Sequence, residues 1–221
     1  MKLIEPIECC KICFKELKNN TFHSLFNNIE ICNSCMMKMN PYFKIFYIDN
    51  TKALAIYRYD DFIKQLIYQF KGCFDIELKN VFLGPYRFEL SLLFYSYYLV
   101  PLPSSKEHDE KRGFNHVVES FKCLKLPFLN VLYKNKNHKQ SEGNIFQRKD
   151  VSNVIEIKNG ELIKCKKILI VDDICTTGSS LRRAIELVKK YEPKELKILV
   201  IAKRDLTEQE KEYVKGKIEI I

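Results

Sequence analysis

Ile168–Ser180 reads ILIVDDICTTGSS, and its order of residue types sets the fold class. Ile168–Val171 is a continuous apolar run, the pattern of a strand buried on both faces of a parallel sheet. From Ser179 onward Leu181, Ala184, Ile185 and Val188 recur at helical spacing. Between strand and helix lie two acids, a cysteine, two threonines, a glycine and two serines. In open α/β sheets ligands gather beyond the carboxyl ends of the strands, where this stretch falls. Unpaired N–H groups at a helix start point at an anion. Gly178 lets backbone approach a phosphate closely. The hydroxyls of Thr176, Thr177, Ser179 and Ser180 donate to phosphate oxygens. Asp172 and Asp173 would repel a bare phosphate. They accept from vicinal hydroxyls or stand near a hydrated Mg2+. One acid or one threonine is enough for an ordinary helix cap. Two acids and four hydroxyls around one glycine exceed that need, so the expected ligand is a phosphorylated sugar with a metal.

Outward from this stretch, strand-like and helix-like segments alternate. Ala53–Tyr59, Tyr97–Val100, Val131–Tyr133 and Lys197–Ala202 read as strands. Ile63, Leu66, Ile67 and Phe70 mark one helix face. Phe114, Val117, Val118 and Phe121 mark another. Val81–Phe94 reads as helical with an interruption at Gly84-Pro85. Ser104–Arg112 (SSKEHDEKR) reads as a charged loop. The expected architecture is α/β, a parallel sheet flanked by helices.

The N-terminal end is different. Cys10-Lys-Ile-Cys13 and Cys32-Asn-Ser-Cys35 are two CxxC pairs separated by 18 residues. Each pair turns two thiolates toward one point, and two pairs complete a tetrahedral shell for zinc. Four protein ligands leave no place for water, so Zn2+ here would be structural. Cys9 is an alternative to Cys10, and His23 is a weaker candidate. Residues 1–45 are read as a zinc-binding four-cysteine module and 46–221 as the α/β domain. A module this small buries little core, so metal would supply its fold. Of the remaining cysteines, Cys73, Cys123 and Cys165 are read as packing residues. Cys175 is read as inert despite lying near a helix start, where a thiol pKa can fall.

The chain has 221 residues, 46% hydrophobic and 29% charged, with 37 Lys and Arg against 28 Asp and Glu, a net charge of +9. It reads as globular rather than disordered. The basic balance suits anionic partners and suits equally a lysine-rich surface. The apolar run near Leu90–Leu102 is too short to span a bilayer. Met1–Glu8 has no apolar core of a secretory leader. The expected compartment is the cytoplasm, where disulfides are rare.

VDDICTTGSS resembles the phosphoribosyl-diphosphate-binding motif of type I phosphoribosyltransferases. The resemblance implies that Asp172 and Asp173 hold the ribose hydroxyls. It implies that Thr176, Thr177, Gly178, Ser179 and Ser180 hold the ribose phosphate. A wider match covers most of the chain: the paired CxxC module, Tyr57–Asp60 (YRYD), Val100–Pro103 (VPLP), Arg112–Asn115 (RGFN) and the acid-rich motif. In this order they resemble the ComF family of competence proteins, which is associated with DNA uptake in natural transformation. That family often has Gln where this chain has His116, read here as structural. Gln140 and Arg148 fit a further series of the family, whereas Gly143 and Val151 depart from it. The resemblance places Pro103, Ser104 and Ser105 at the diphosphate. It places Arg112 in a mobile loop that closes on the ligand, with Asp172, Asp173 and Arg112 as the chemistry-bearing residues. Arg58 and Lys71 are candidate phosphate contacts, ranked below a reading as exposed surface cations. The implied function is binding of phosphoribosyl diphosphate with Mg2+ in support of single-stranded DNA uptake, beside a helicase. The alternative is a metabolic enzyme that transfers phosphoribosyl to a nucleobase in salvage.

Overall fold

The computed structural model describes residues 8–17, 25–134 and 155–205. In chain order these residues form α1 (Asn33–Met39), β1 (Lys44–Ile48), β2 (Thr51–Arg58), α2 (Asp61–Gly72), α3 (Arg87–Leu93), β3 (Tyr97–Pro101), α4 (Lys106–Arg112) and α5 (His116–Phe121). They continue with β4 (Leu132–Lys134), β5 (Ile155–Ile157), β6 (Lys167–Cys175), α6 (Ser179–Lys189) and β7 (Glu195–Lys203). Five strands make the main sheet in the order β1-β2-β7-β6-β3. β2, β7, β6 and β3 run parallel, and β1 is an antiparallel edge. β4 and β5 form a separate antiparallel pair.

Period-two alternation divides the core between the sheet's faces. Leu169 and Val171 of β6 face one cluster with Ile63, Phe70, Leu99 and Phe121. Ile168 and Ile170 face the other with Ala184, Ile185, Val188 and Ile198. β6 is therefore covered on both sides, which is why its sequence is unbroken in apolar residues. α2 starts at Asp60, whose carboxylate accepts from the Ile63 N–H at 2.9 Å. That cap fixes the apolar stripe Ile63, Leu66, Ile67, Phe70 against the sheet.

Three segments differ from the sequence expectation. β1 has no period-two signal of its own. It is recruited through a tight turn at Asp49 and Asn50, both with positive φ (44° and 60°), which folds it back on β2. The supposed loop Ser104–Arg112 is largely helix α4, ending at Gly113. Gly84-Pro85 sits in a 3-10 turn, so the helical stretch begins only at Arg87. The expected boundary at residue 45 falls inside β1. Cys10, Cys35 and Met39 belong to the same apolar cluster as Ile63 and Leu169, so the cysteine-bearing piece shares its core with the sheet. No helix among the described residues is long and apolar enough to cross a membrane. His23, Gln140, Gly143, Arg148 and Val151 lie outside the described residues.

Candidate functional site

Two constellations carry chemistry. At the first, the sulfur atoms of Cys10, Cys13, Cys32 and Cys35 lie within 4.8 Å of one another. Cys10 and Cys13 come from a turn, and Cys32 and Cys35 come from the start of α1. Cys10 is buried in this cluster, whereas Cys9 is exposed and outside it. Burial pushes the Cys10 thiol up, but backbone hydrogen bonds from Cys13, Cys32 and Ile12 outweigh it and lower the pKa to about 7. Burial, followed by its own side-chain hydrogen bonds with Cys13, Cys32 and Cys10, pushes the Cys35 thiol up. Four sulfurs this close are hard to reconcile with simple packing and fit a tetrahedral zinc shell.

The second constellation lies beyond the carboxyl end of β6. Asp172 is half-buried and Asp173 is buried. Both side chains border a cavity of about 290 Å3, together with Ser104, Ser105, Lys71 and Ser180. Pro103 is also on its wall, so the loop after β3 and the acid pair face the same space. β3 lies beside β6 with Val100 opposite Ile170, which brings the two strand ends level. Among the described residues of the acid-rich loop, Ser180 lines this cavity. Thr176, Thr177 and Ser179 are exposed and do not line it. Gly178 has φ of 77°, and a Cβ there would lie 3.3 Å from Ile48 Cδ1, so glycine is needed for the turn. No side chain caps α6, which leaves its first N–H groups to solvent or an anion.

The acid pair is held asymmetrically. Asp173 Oδ2 accepts from Lys71 Nζ at 2.9 Å and lies 3.0 Å from His116 Nε2. His116 Nδ1 faces Arg112 Nη1 at 2.9 Å. Arginine only donates, so Nδ1 accepts and the ring proton sits on Nε2, donated to Asp173. Burial pushes the Asp173 carboxyl up, but the His116 hydrogen bond and the Lys71 charge outweigh it and hold it below the usual carboxylate range. Asp172 is pushed well above that range by burial and by the Asp173 charge. Burial and mutual repulsion thus work against two full charges on the pair, and a hydroxyl-rich or cationic ligand would stabilise them.

Arg112 departs most from expectation. It is buried, and Nε donates to the Lys71 carbonyl at 2.9 Å while Nη1 lies 3.1 Å from Asp109. With His116 as a third partner, Nε and Nη1 are held inside the protein, while the residue still borders the acid-pair cavity. α4 is pinned from the same side: Asn115 Nδ2 donates to Asp109 at 2.8 Å and to Ser104 at 3.0 Å, and Ser104 donates to Asp109. The sequence reading set Lys71 down as a surface cation and His116 as structural, and the contacts of both with Asp173 were not foreseen. The one available signal was the departure at His116. Arg58 pairs with Asp205 at 3.2 Å, away from the cavity. Tyr57 is buried with its hydroxyl on the Phe82 carbonyl at 2.8 Å. Burial raises the Cys175 thiol to about 11, which suits an unreactive residue.

Residues 113–221 match the model of the phosphoribosyl transferase domain. Competence protein ComFC of Bacillus subtilis is 32% identical over 132 residues, covering 59% of this chain and 55% of the relative. Competence protein ComFC of Streptococcus pneumoniae is 31% identical over 143 residues, covering 65% and 64%. The match therefore spans less than two thirds of either relative. Among solved structures, a purine phosphoribosyltransferase from Pyrococcus horikoshii is 22% identical, covering 66% of this chain and 76% of that one, with a TM-score of 0.35.

Proposed function

We propose that this chain, which matches a phosphoribosyl transferase domain over residues 113–221 and is similar over part of its length to ComFC competence proteins, is a ComF-like protein that binds phosphoribosyl diphosphate with Mg2+ in support of single-stranded DNA uptake. The observation that carries the reading is the acid pair at the end of β6, opening on one cavity with Ser104 and Ser105 and lying next to the uncapped start of α6. Ribose hydroxyls would take Asp172 and Asp173. The 5′-phosphate would take the N–H groups and hydroxyls from Thr176 to Ser180. The diphosphate would lie along Pro103–Ser105. Hard oxygen donors suit a Mg2+ that keeps part of its water, and the ion would neutralise the diphosphate. Zn2+ in the four-cysteine cluster would be structural. The protein would act in the cytoplasm on the incoming strand, beside a helicase. Arg112, which borders the cavity while its Nε and Nη1 are held by the Lys71 carbonyl, Asp109 and His116, would present its remaining Nη2 donors to the diphosphate.

Calorimetry with phosphoribosyl diphosphate and Mg2+ tests the ligand. The Asp172→Ala, Asp173→Ala double variant is expected to bind at least about a hundred-fold more weakly, since two ligand-facing carboxylates are lost. Undiminished affinity would sink the reading.

A further inference from the structure

We propose that the larger cavity beside the acid pair is a base-stacking platform for single-stranded nucleic acid. It rests on the strand-binding reading above and gives that reading a place. The cavity measures about 710 Å3, and its walls include the rings of Tyr59, Tyr68 and Phe74. Lys64, Lys71 and Lys111 stand around them, with Asp61 as an acidic neighbour. Lys71, His108 and Arg112 line this cavity and the acid-pair cavity alike, so the two share a wall.

Two local features show that the rings are held there against a cost. Phe74 has φ of 64°, in the left-handed region, where a bulky side chain is strained. Tyr68 lies over Gly72, and a Cβ on Gly72 would stand 2.9 Å from the tyrosine ring. Glycine at the end of α2 thus makes room for that ring. Both rings remain open to solvent, Tyr68 at 65% and Phe74 at 38%. Strain and exposure at one wall are what a ligand site retains and a packed core would remove.

The chemistry selects an unpaired base. Aromatic faces stack on any base, and lysines beside them follow a phosphate backbone. Arg112 is buried at the shared wall, whereas Gln65, Lys64 and His108 are exposed. They give no rigid set of donors to read a base edge, as a pocket specific for one free nucleobase would need. Binding should therefore tolerate sequence and require bases.

The test is fluorescence anisotropy at low salt with an oligothymidylate and an abasic oligomer of equal length. The variants are Tyr68→Ala and Phe74→Gly, the latter compatible with the positive φ. The full-length protein is expected to prefer the oligothymidylate, and each variant to lose about ten-fold in its affinity. Affinity for phosphoribosyl diphosphate, measured on the same samples, should be unchanged. Variants that bind oligothymidylate like the unmodified protein would overturn the platform while leaving strand binding intact. Equal affinity for the abasic oligomer would also overturn it, by making the contact one of charge alone. Absence of any strand binding by the unmodified protein would remove the earlier reading and the platform together. A free nucleobase whose binding fails in both variants, with strand binding intact, would reassign the cavity to a small acceptor.

Discussion

Asp172 and Asp173 are neighbours whose carboxyl groups are driven in opposite directions. Asp173 is depressed, so its contribution to stability is present above the unfolded value, about 3.9, and is lost as pH falls through its folded value. Asp172 is raised, so the folded state holds an extra proton above that same unfolded value, and stability falls as pH rises toward its folded pKa. Asp172→Asn removes this second dependence. Its stability relative to the unmodified protein is expected to grow from mildly acidic to neutral pH in urea denaturation, while ligand binding is lost. An advantage that shrank with rising pH would contradict the assignment. His116 links this pair to Arg112 by accepting at one nitrogen and donating at the other. Glutamine can do both, and leucine neither. His116→Gln is expected to keep ligand affinity near that of the unmodified protein. His116→Leu removes one hydrogen bond from each of two buried partners, Asp173 and Arg112, which costs about 1–3 kcal/mol of stability. Equal denaturation midpoints for the two variants would rule out the linking role.

At the scale of elements, β6, its loop and α6 act as one unit with the β1–β2 hairpin. Ile48 at the end of β1 packs against Gly178, so the hairpin forms the floor of the turn. Gly178→Ala must adopt a left-handed conformation at a cost of about 1–2 kcal/mol, and its Cβ must displace Ile48 as well. Weaker ligand binding is expected alongside the lower stability, because the first N–H groups of α6 move with the turn. Calorimetry and thermal unfolding of the same variant measure both. A variant as stable as the original and binding as tightly would show that the turn tolerates a side chain.

For the whole molecule, the four-cysteine cluster is not an appendage. Cys10, Cys35 and Met39 pack in the apolar cluster that also holds Ile63, Phe70 and Leu169. Loss of a structural metal should therefore weaken the entire fold. One zinc per chain is expected by elemental analysis, and a chelator should lower the midpoint of a single cooperative unfolding transition. Since Cys35 must give up a proton from a raised pKa, zinc affinity should increase with pH. A purified, folded sample without metal, or one indifferent to chelation, would end the zinc assignment. The net charge of +9 has its consequence at this scale as well. Strand binding should fall steeply with salt as counterions released on binding are put back.

The strand–loop–helix around Asp172 and Asp173, the paired CxxC turns and the stripe on α2 were all legible in the sequence. Each is a local pattern, set by backbone geometry within a few residues. The expected α/β class followed, because a strand apolar on both faces needs helices on both sides. Other features depended on topology. Asp173 is 102 residues from Lys71 and 57 from His116, and only the sheet order brings the three together. Cys10, rather than its neighbour Cys9, joins the sulfur cluster because the turn buries it. β1 exists because a hairpin pairs it with β2, and Arg112 is internal because the Lys71 carbonyl, Asp109 and His116 converge on it. The sequence by itself determined which chemical groups stand at the end of β6. The tertiary structure decided which partners set their charge, because long-range contacts arise from packing and not from local spacing.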